Sequence, residues 1–280
     1  MMPSSHAVTE RYSRQVLFSG IGPAGQEKLL RAHVAVVGVG ATGAAAASLL
    51  ARAGIGALTL IDRDFVEESN LQRQVLFDEA DARDALPKAE AARRRIAAFN
   101  SDVSVDAHVA DLVPANIHDL LCNADIILDA TDNFETRYLL NDYAVEQRKP
   151  WIYAAAVGAY AVTMNIVPGE TACLACIFPQ PPGGAVETCD TAGILNTAVN
   201  LAASIEVTEA LKFLVGARDR MRRTLFSCDL WTSEWSEIAA ATPRPDCSVC
   251  AGRDFAYLRG EGRPHITLCG RNSVQIHERA

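Results

Sequence analysis

The chain has little that would suit it to a polyanion, to a membrane or to the outside of a cell. Its 26 basic residues are outnumbered by 34 acidic ones, leaving a formal charge of −8 over 280 residues. That balance excludes a broad nucleic-acid footprint and attraction to anionic lipid, so any bound anion must be held by a local cluster of cations. The opening stretch MMPSSHAVTERYSRQ has none of the apolar run of a secretory signal, which predicts a reducing, cytoplasmic setting. The eight cysteines are then expected to be thiols or metal ligands. A long apolar stretch from Ile194 to Val215 is broken by Asn196, Asn200, Glu206, Glu209 and Lys212, so it predicts a buried or dimer-forming helix and not a membrane span. There is no internal repeat and no low-complexity tract, and none of the six histidines falls at a metal-ligand or nucleophile spacing.

What is present is a hydrophobic content of 49%, enough for one large core or two smaller ones, and a pattern that starts as an α/β unit. Val34 to Val37 reads as a buried strand, Gly38-Val39-Gly40-Ala41-Thr42-Gly43 as a glycine loop, Thr42 to Ala53 as an alanine-rich helix closed by Gly54 and Gly56, and Ala57 to Ile61 as a second strand ending at Asp62. A strand, a glycine turn and a helix in that order cradle phosphates, and an acidic residue about 20 positions past the glycines is where a ribose hydroxyl is usually held. Taken alone, Asp62 has one other reading, a residue that ends a strand at a turn. Further on, Lys88 to Phe99 predicts a basic helix, Ala124 to Leu128 a strand, Thr136 to Gln147 a helix stopped by Pro150, and Trp151 to Ala155 and Tyr160 to Val167 two more strands. Pro179 to Gly184, with three prolines and two glycines, predicts an irregular connection. The expected fold is therefore α/β: a Rossmann-like, mostly parallel sheet with flanking helices, continued by a smaller β-rich C-terminal part.

Two Cys-x-x-Cys pairs, Cys173/Cys176 and Cys247/Cys250, have residues 177–246 between them, too far apart for a compact zinc ribbon but suited to two knuckles that the fold joins. Two unrelated redox or buried pairs are the alternative. Four thiolates would give a closed tetrahedral zinc site, bracing the fold and leaving no open coordination position. Cys122, Cys228 and Cys269 lie in apolar or strand-like surroundings and are expected in the core.

The stretch Ile61-Asp62-Arg63-Asp64-Phe65-Val66-Glu67-Glu68-Ser69-Asn70-Leu71-Gln72-Arg73-Gln74, preceded by Arg11-Tyr12-Ser13-Arg14-Gln15 and followed by Thr131-Asp132-Asn133, resembles the ThiF/MoeB/HesA adenylyltransferases, relatives of ubiquitin-activating enzymes. The resemblance covers roughly residues 10 to 250 and rests on several motifs in order; a lone GxGxxG would mean little. It implies an adenylyltransferase domain over 1–250, with a nucleotide-binding half at about 30–150 and a carrier and zinc half at about 151–250, and a C-terminal extension at 251–280. It further implies an ATP- and Mg²⁺-dependent enzyme that converts the C-terminal glycine of a ubiquitin-like, Gly-Gly-ending sulfur carrier protein into an acyl adenylate, for thiamine or molybdopterin synthesis. A terminal carboxylate, with a pKa of about 3.5, is already ionised, so the chemistry needs positive charge and no Ser/His/Asp arrangement.

Carried over residue by residue, the resemblance implies that Asp62 binds the ribose and that Asn70, Arg73 and Lys88 grip the phosphates, with Asp64, Ser69 and Asn133 beside them and Gly38, Gly40, Ala41 and Gly43 lining the cradle. Asp132 holds Mg²⁺, and Arg14 reaches across a homodimer to the partner's ATP. Zinc falls to Cys173, Cys176, Cys247 and Cys250. Cys189 matches a cysteine that forms an acyl disulfide with the carrier in ThiF-type members, although Asp190 beside it opposes a thiolate. Two departures stand out. Ala41 occupies a position usually taken by a third glycine, and the approach Asp81-Ala82-Arg83-Asp84-Ala85-Leu86 to Lys88 lacks the glycine that relatives tend to have. Residues 251–280 are too few for an appended sulfurtransferase domain, so sulfur is expected from a separate donor protein. Two other readings of the glycine loop are a Rossmann oxidoreductase using NAD and a scaffold that binds carrier without turnover.

Overall fold

A computed structural model describes residues 10–181, 189–262, 267–269 and 273–275. Eight strands form one sheet in the order β3-β2-β1-β4-β5-β6-β7-β8. Strands β1 (His33–Val37), β2 (Ala57–Ile61), β3 (Ser104–His108), β4 (Ile126–Asp129) and β5 (Trp151–Val157) pair in parallel. Strands β6 (Tyr160–Ile166), β7 (Thr224–Asp229) and β8 (Glu234–Ala239) extend the same sheet antiparallel. The expected β-rich C-terminal part is thus a continuation of the first sheet across residue 150. A short hairpin of β9 (Thr267–Cys269) and β10 (Ser273–Gln275) stands apart from it in pairing.

The helices are α1 (Ser13–Val16), α2 (Gly22–Leu29), α3 (Ala41–Ala53), α4 (Glu79–Arg83), α5 (Lys88–Phe99), α6 (Ile117–Leu121), α7 (Phe134–Gln147), α8 (Leu174–Ile177), α9 (Cys189–Ala192) and α10 (Asn196–Val215). The parallel strands β1, β2, β4 and β5 read as mostly apolar runs because both faces are covered, whereas the edge strand β3 is part-exposed and polar. Val34, Val36, Leu58, Leu60, Ile126, Leu128 and Ile152 meet α3, α5 and α10 on one face. Ala35, Val37, Ile127, Trp151 and Tyr153 meet α6, α7 and the cysteine knuckles on the other. Each buried aliphatic side chain contributes about 1.5–3 kcal/mol. The alanines of α3, Ala44 to Ala47 and Ala51, are buried, and such small side chains let α10 pack closely across it.

Most of the predicted elements lie within a residue or two of their observed bounds. The strand expected at Ala124 to Leu128 begins later, at Ile126, because Ala124 donates back to Leu121 at the end of α6 and Asp125 accepts the His33 amide at 2.8 Å. Cys122, expected in the core, is only half-buried, since it caps the end of α6; Cys228 is buried as expected, and the side chain of Cys269 lies outside the described residues. The connection expected at Pro179 to Gly184 lies partly outside the described residues. Among the described residues no helix is long and apolar enough to cross a membrane. The polar residues that interrupt α10 explain why. Glu209 is buried against the Asn165 amide, the Arg222 backbone N–H and the Lys212 ammonium, the last two at 2.9 and 2.6 Å. Glu206, 0% exposed, has no hydrogen-bond partner for either carboxyl oxygen, and burial raises its pKa well above the usual range, with Asp129 adding to the effect.

The sheet also fixes where a ligand can sit. The chain runs from β1 to β2 and β3 on one side, then returns to β4 and β5 on the other, so a crevice opens at the C-terminal ends of β1 and β4, the switch point at which open α/β sheets bind ligands.

Candidate active site

Four loops converge on that crevice. Gly38 has φ +84°, and a Cβ there would stand 2.7 Å from the Ala130 carbonyl oxygen, so glycine lets the β1 loop lie directly against the β4 loop. At Gly43 a Cβ would come within 1.9 Å of the Gly38 carbonyl, so glycine is required for the first turn of α3 to fold back under the loop. A Cβ at Gly40 would find Gln74 Nε2 as its nearest neighbour, at 3.9 Å, which places the 69–74 segment over the cradle. The Ala44 amide is the first of α3 to bond back, to Gly40, so the amides of Ala41, Thr42 and Gly43 are left at the positive end of the helix. Ala41 keeps its amide donor in spite of its methyl group.

Asp62 holds this cradle from the tip of β2. Its two carboxylate oxygens accept the Val39 N–H at 2.6 Å and the Asp64 N–H at 2.8 Å, each keeping a lone pair to spare. Burial raises its pKa, with Lys88 and those two amides opposing the shift. Lys88, the first residue of α5, is buried and reaches the Asp64 carboxylate at 3.1 Å. It is placed by backbone pairing of 64–66 with 86–88: Val66 N–H donates to Leu86 O and Lys88 N–H to Asp64 O, both at 2.8 Å. The absent glycine in the approach is met by strain: Ala85 takes φ +45°, a left-handed conformation costly for any residue with a Cβ. Asn70 is buried at a 3₁₀ turn, accepting the Glu67 N–H at 3.2 Å and lying beside Ser69, while Arg73 donates to the Ser69 carbonyl at 2.9 Å.

Across the crevice, Asp132 is exposed on the loop after β4, and Asn133 caps α7 by accepting the Thr136 N–H at 2.8 Å. Arg14 is exposed on α1, which packs at the far end of α3: Gln15 donates to the Ala53 carbonyl, and the cradle lies a helix length away, about 20 Å for α3 at 1.5 Å per residue. An arginine so placed cannot reach the cradle of its own chain. The helical backbone of Cys189 in α9 is described, but its side chain lies outside the described residues.

Three charged residues to which the sequence motifs give no role also belong here. Arg63 pairs with Asp111 at 2.9 Å; burial opposes its charge, but Asp111, Asp64 and Asp132 together raise its pKa. Asp129 and Arg137 form an ion pair buried beneath the Asp132 loop, at 3.3 Å. The signals for two of them are local: Arg63 directly follows Asp62, and Arg137 stands one helical turn past Asn133.

On the sheet face covered by α6 and α7, Cys173, Cys176, Cys247 and Cys250 bring their sulfurs within 4.8 Å of one another. The Cys173–Cys176, Cys173–Cys247 and Cys176–Cys250 Sγ separations are 3.7, 3.6 and 3.4 Å, close to the edge of about 3.8 Å that four Zn–S bonds of about 2.3 Å require. Burial and the neighbouring sulfurs push Cys173 up, and Cys250 up to about 12, while hydrogen bonds from the Cys250 and Val249 backbone bring Cys247 down in spite of its burial. The Arg244 N–H donates to Cys176 Sγ at 3.3 Å, an outer contact of the kind that orients metal ligands. The donor set fits a structural zinc.

A family model described as the ThiF family matches residues 12–249, and the chain belongs to that family. Among its relatives is the sulfur carrier protein ThiS adenylyltransferase of Bacillus subtilis, 49% identical over 272 residues, which cover 96% of this chain and 80% of that protein. The SAMP-activating enzyme E1 of Haloferax volcanii is 37% identical over 242 residues, 86% of this chain and 88% of its own. Among solved structures, Escherichia coli MccB crystallised with ATP superposes with a TM-score of 0.74 at 28% identity, covering 86% of this chain and 74% of that one.

Proposed function

We propose that this ThiF-family enzyme is an adenylyltransferase that activates the C-terminal glycine of a ubiquitin-like sulfur carrier with ATP and Mg²⁺, the carrier being of the ThiS type named for the Bacillus subtilis relative. The observation that carries the reading is the convergence, at one switch point, of a glycine cradle, the Asp62 carboxylate, the Lys88 and Arg73 cations and the Asp132 loop. When bound, the divalent ion would supply charge neutralisation between nucleotide phosphates and an incoming carboxylate. The residues do the rest by position. The amides of Ala41 to Gly43 face an anion from the helix end, Asp62 offers free lone pairs to a ribose hydroxyl, and Lys88, Asn70, Arg73 and Ser69 line the approach opposite Asp64, Asp132 and Asn133. Because the attacking carboxylate needs no deprotonation, the absence of a general base is no obstacle.

Arg14 completes the set from a second copy of the chain. It is out of reach of its own cradle, and on the same segment Leu17 and Phe18 are 75% and 64% exposed, an apolar pair that a homodimer would cover. The carrier itself suits the β8 edge of the sheet, unpaired among the described residues, where all six residues of β8 are exposed and Trp231, Trp235 and Ile238 offer aromatic and aliphatic anchors to an added strand. Cys189 as a covalent link to the carrier, and sulfur from a separate donor protein, belong to the same proposal. A nicotinamide-dependent reading leaves Arg73, the Thr131–Asn133 loop and the thiol cluster without a task.

The test is ATP–pyrophosphate exchange with a Gly-Gly-ending carrier. Wild-type protein is expected to exchange label only when carrier and Mg²⁺ are present, and Arg73→Ala and Asp132→Ala to lose at least about 100-fold, the order found when one transition-state contact is removed. Binding of carrier with no exchange would leave a scaffold; full activity in both variants would remove their assignments.

A further inference from the structure

Of the described ion pairs, Arg137–Asp129 is the one in which both partners are buried, with side chains 6% and 0% exposed. Taking two charges out of water costs several kcal/mol per ion, and an apolar pair of similar volume is often as stable, so the position the pair imposes is the feature to explain. Every polar backbone and side-chain group of Thr131 is tied to it. Asp129 Oδ1 accepts the Thr131 N–H at 3.0 Å and its hydroxyl at 2.7 Å, and Arg137 Nη2 donates to the Thr131 carbonyl at 2.6 Å. The guanidinium is itself fixed between the rings of Phe134 and Tyr153, each 5.1 Å from its carbon. On the other flank, Ala130 N–H donates to Val37 O at 2.9 Å and its carbonyl abuts Gly38. The peptide that leads into Asp132 is therefore clamped on both sides, while the Asp132 carboxylate stands exposed at the end of the clamp.

We propose that Asp129 and Arg137 are positioning residues that aim Asp132 at the divalent ion, with Thr131 as the link. The inference rests on the adenylyltransferase reading and adds to it the device that sets the metal requirement. Lysine cannot replace the arginine, because holding the Thr131 carbonyl and the Asp129 carboxylate together takes a planar fork and not a point charge.

The experiment compares wild type, Arg137→Lys, Thr131→Val and Asp132→Asn in three readouts: thermal melting, ATP binding without metal, and the Mg²⁺ concentration giving half-maximal pyrophosphate exchange, with Mn²⁺ binding to the protein–ATP complex followed by electron paramagnetic resonance. Metal-free ATP affinity is expected to stay within about twofold in all variants. The half-maximal Mg²⁺ and the Mn²⁺ dissociation constant are expected to rise about tenfold in Arg137→Lys and about threefold in Thr131→Val, with exchange largely rescued at high Mg²⁺. Combined with Asp132→Asn, the Arg137→Lys shift should vanish, since both act through one carboxylate. Thr131→Val keeps the shape and the backbone bonds, so it serves if the arginine variant does not fold. No exchange by wild type would overturn the activity and the clamp with it. Exchange by wild type with unchanged metal dependence in folded variants, or an equal loss of metal-free ATP binding, would overturn the clamp alone.

Discussion

The two ends of the sheet use the same backbone layering for different work. At the parallel end, β1, β2, β4 and β5 emerge from a core covered on both faces, and their loops meet at one switch point, so cations and carboxylates far apart in sequence become neighbours. At the antiparallel end, β7 still buries Leu225 and Cys228, but β8 is exposed along its length, and the thiol cluster joins segments 74 residues apart. The parallel strands supply geometry by topology; the antiparallel extension carries a thiol cluster that can act as a staple, and it ends on β8, exposed at every position.

The largest effect that would break this contrast concerns the staple. Cys173→Ser is expected to cost at least about 3 kcal/mol in urea unfolding, well under the roughly 10 kcal/mol that zinc supplies to isolated zinc-finger peptides. Hydrogen exchange should rise around residues 167–181 and 240–262, while β1, β2 and the cradle stay protected. Uniform loss of protection would mean that the metal braces the whole sheet, and unchanged protection would mean that it braces nothing.

The parallel end was largely legible in the sequence because its signals are local. The glycine loop, Asp62 and the strand around them sit within one crossover unit, and α5 runs from Lys88 to Phe99 as its composition predicted. Arg137 and Asp129 were missed for the opposite reason. A buried arginine reads from composition as a surface cation, and only the contact with Thr131 and the two aromatic rings shows it inside. The unbroken sheet across residue 150 was likewise invisible, since register between β5 and β6 is a property of pairing and not of either strand's pattern.

Two buried acids give intermediate effects, one at each end. Asp142, on α7, accepts the Tyr257 N–H at 2.9 Å and so ties the segment after the second knuckle to the fold. Burial raises its pKa to about 7 from 3.8. The folded chain therefore holds that proton more tightly than the unfolded one, so its contribution is fully present below pH 3.8 and is lost as pH rises to about 7. Glu206, where α10 crosses α3, is raised too, so its contribution is lost in the same direction above pH 4.5. Asp142→Asn should flatten the fall of unfolding free energy between about pH 4 and 7, and Glu206→Gln the fall above about pH 4.5, both measured in urea. Only Asp142→Asn should also alter proteolysis near Tyr257. Identical pH slopes in variants and wild type would refute both assignments.

The smallest effect lies beside Lys88. Ala85 holds φ +45° on an exposed turn, where glycine carries no Cβ penalty. Ala85→Gly removes a left-handed strain of about 1–2 kcal/mol but gives the unfolded chain more freedom, worth about 0.4–1 kcal/mol, so a net gain near 0.5 kcal/mol is expected in urea unfolding. Nucleotide affinity should stay constant if the 64–66 and 86–88 pairing alone places Lys88. Weaker ATP binding in a more stable Ala85→Gly protein would instead mean that the strained turn keeps Lys88 directed at the crevice, and that the parallel end, like the antiparallel one, depends on something beyond its topology.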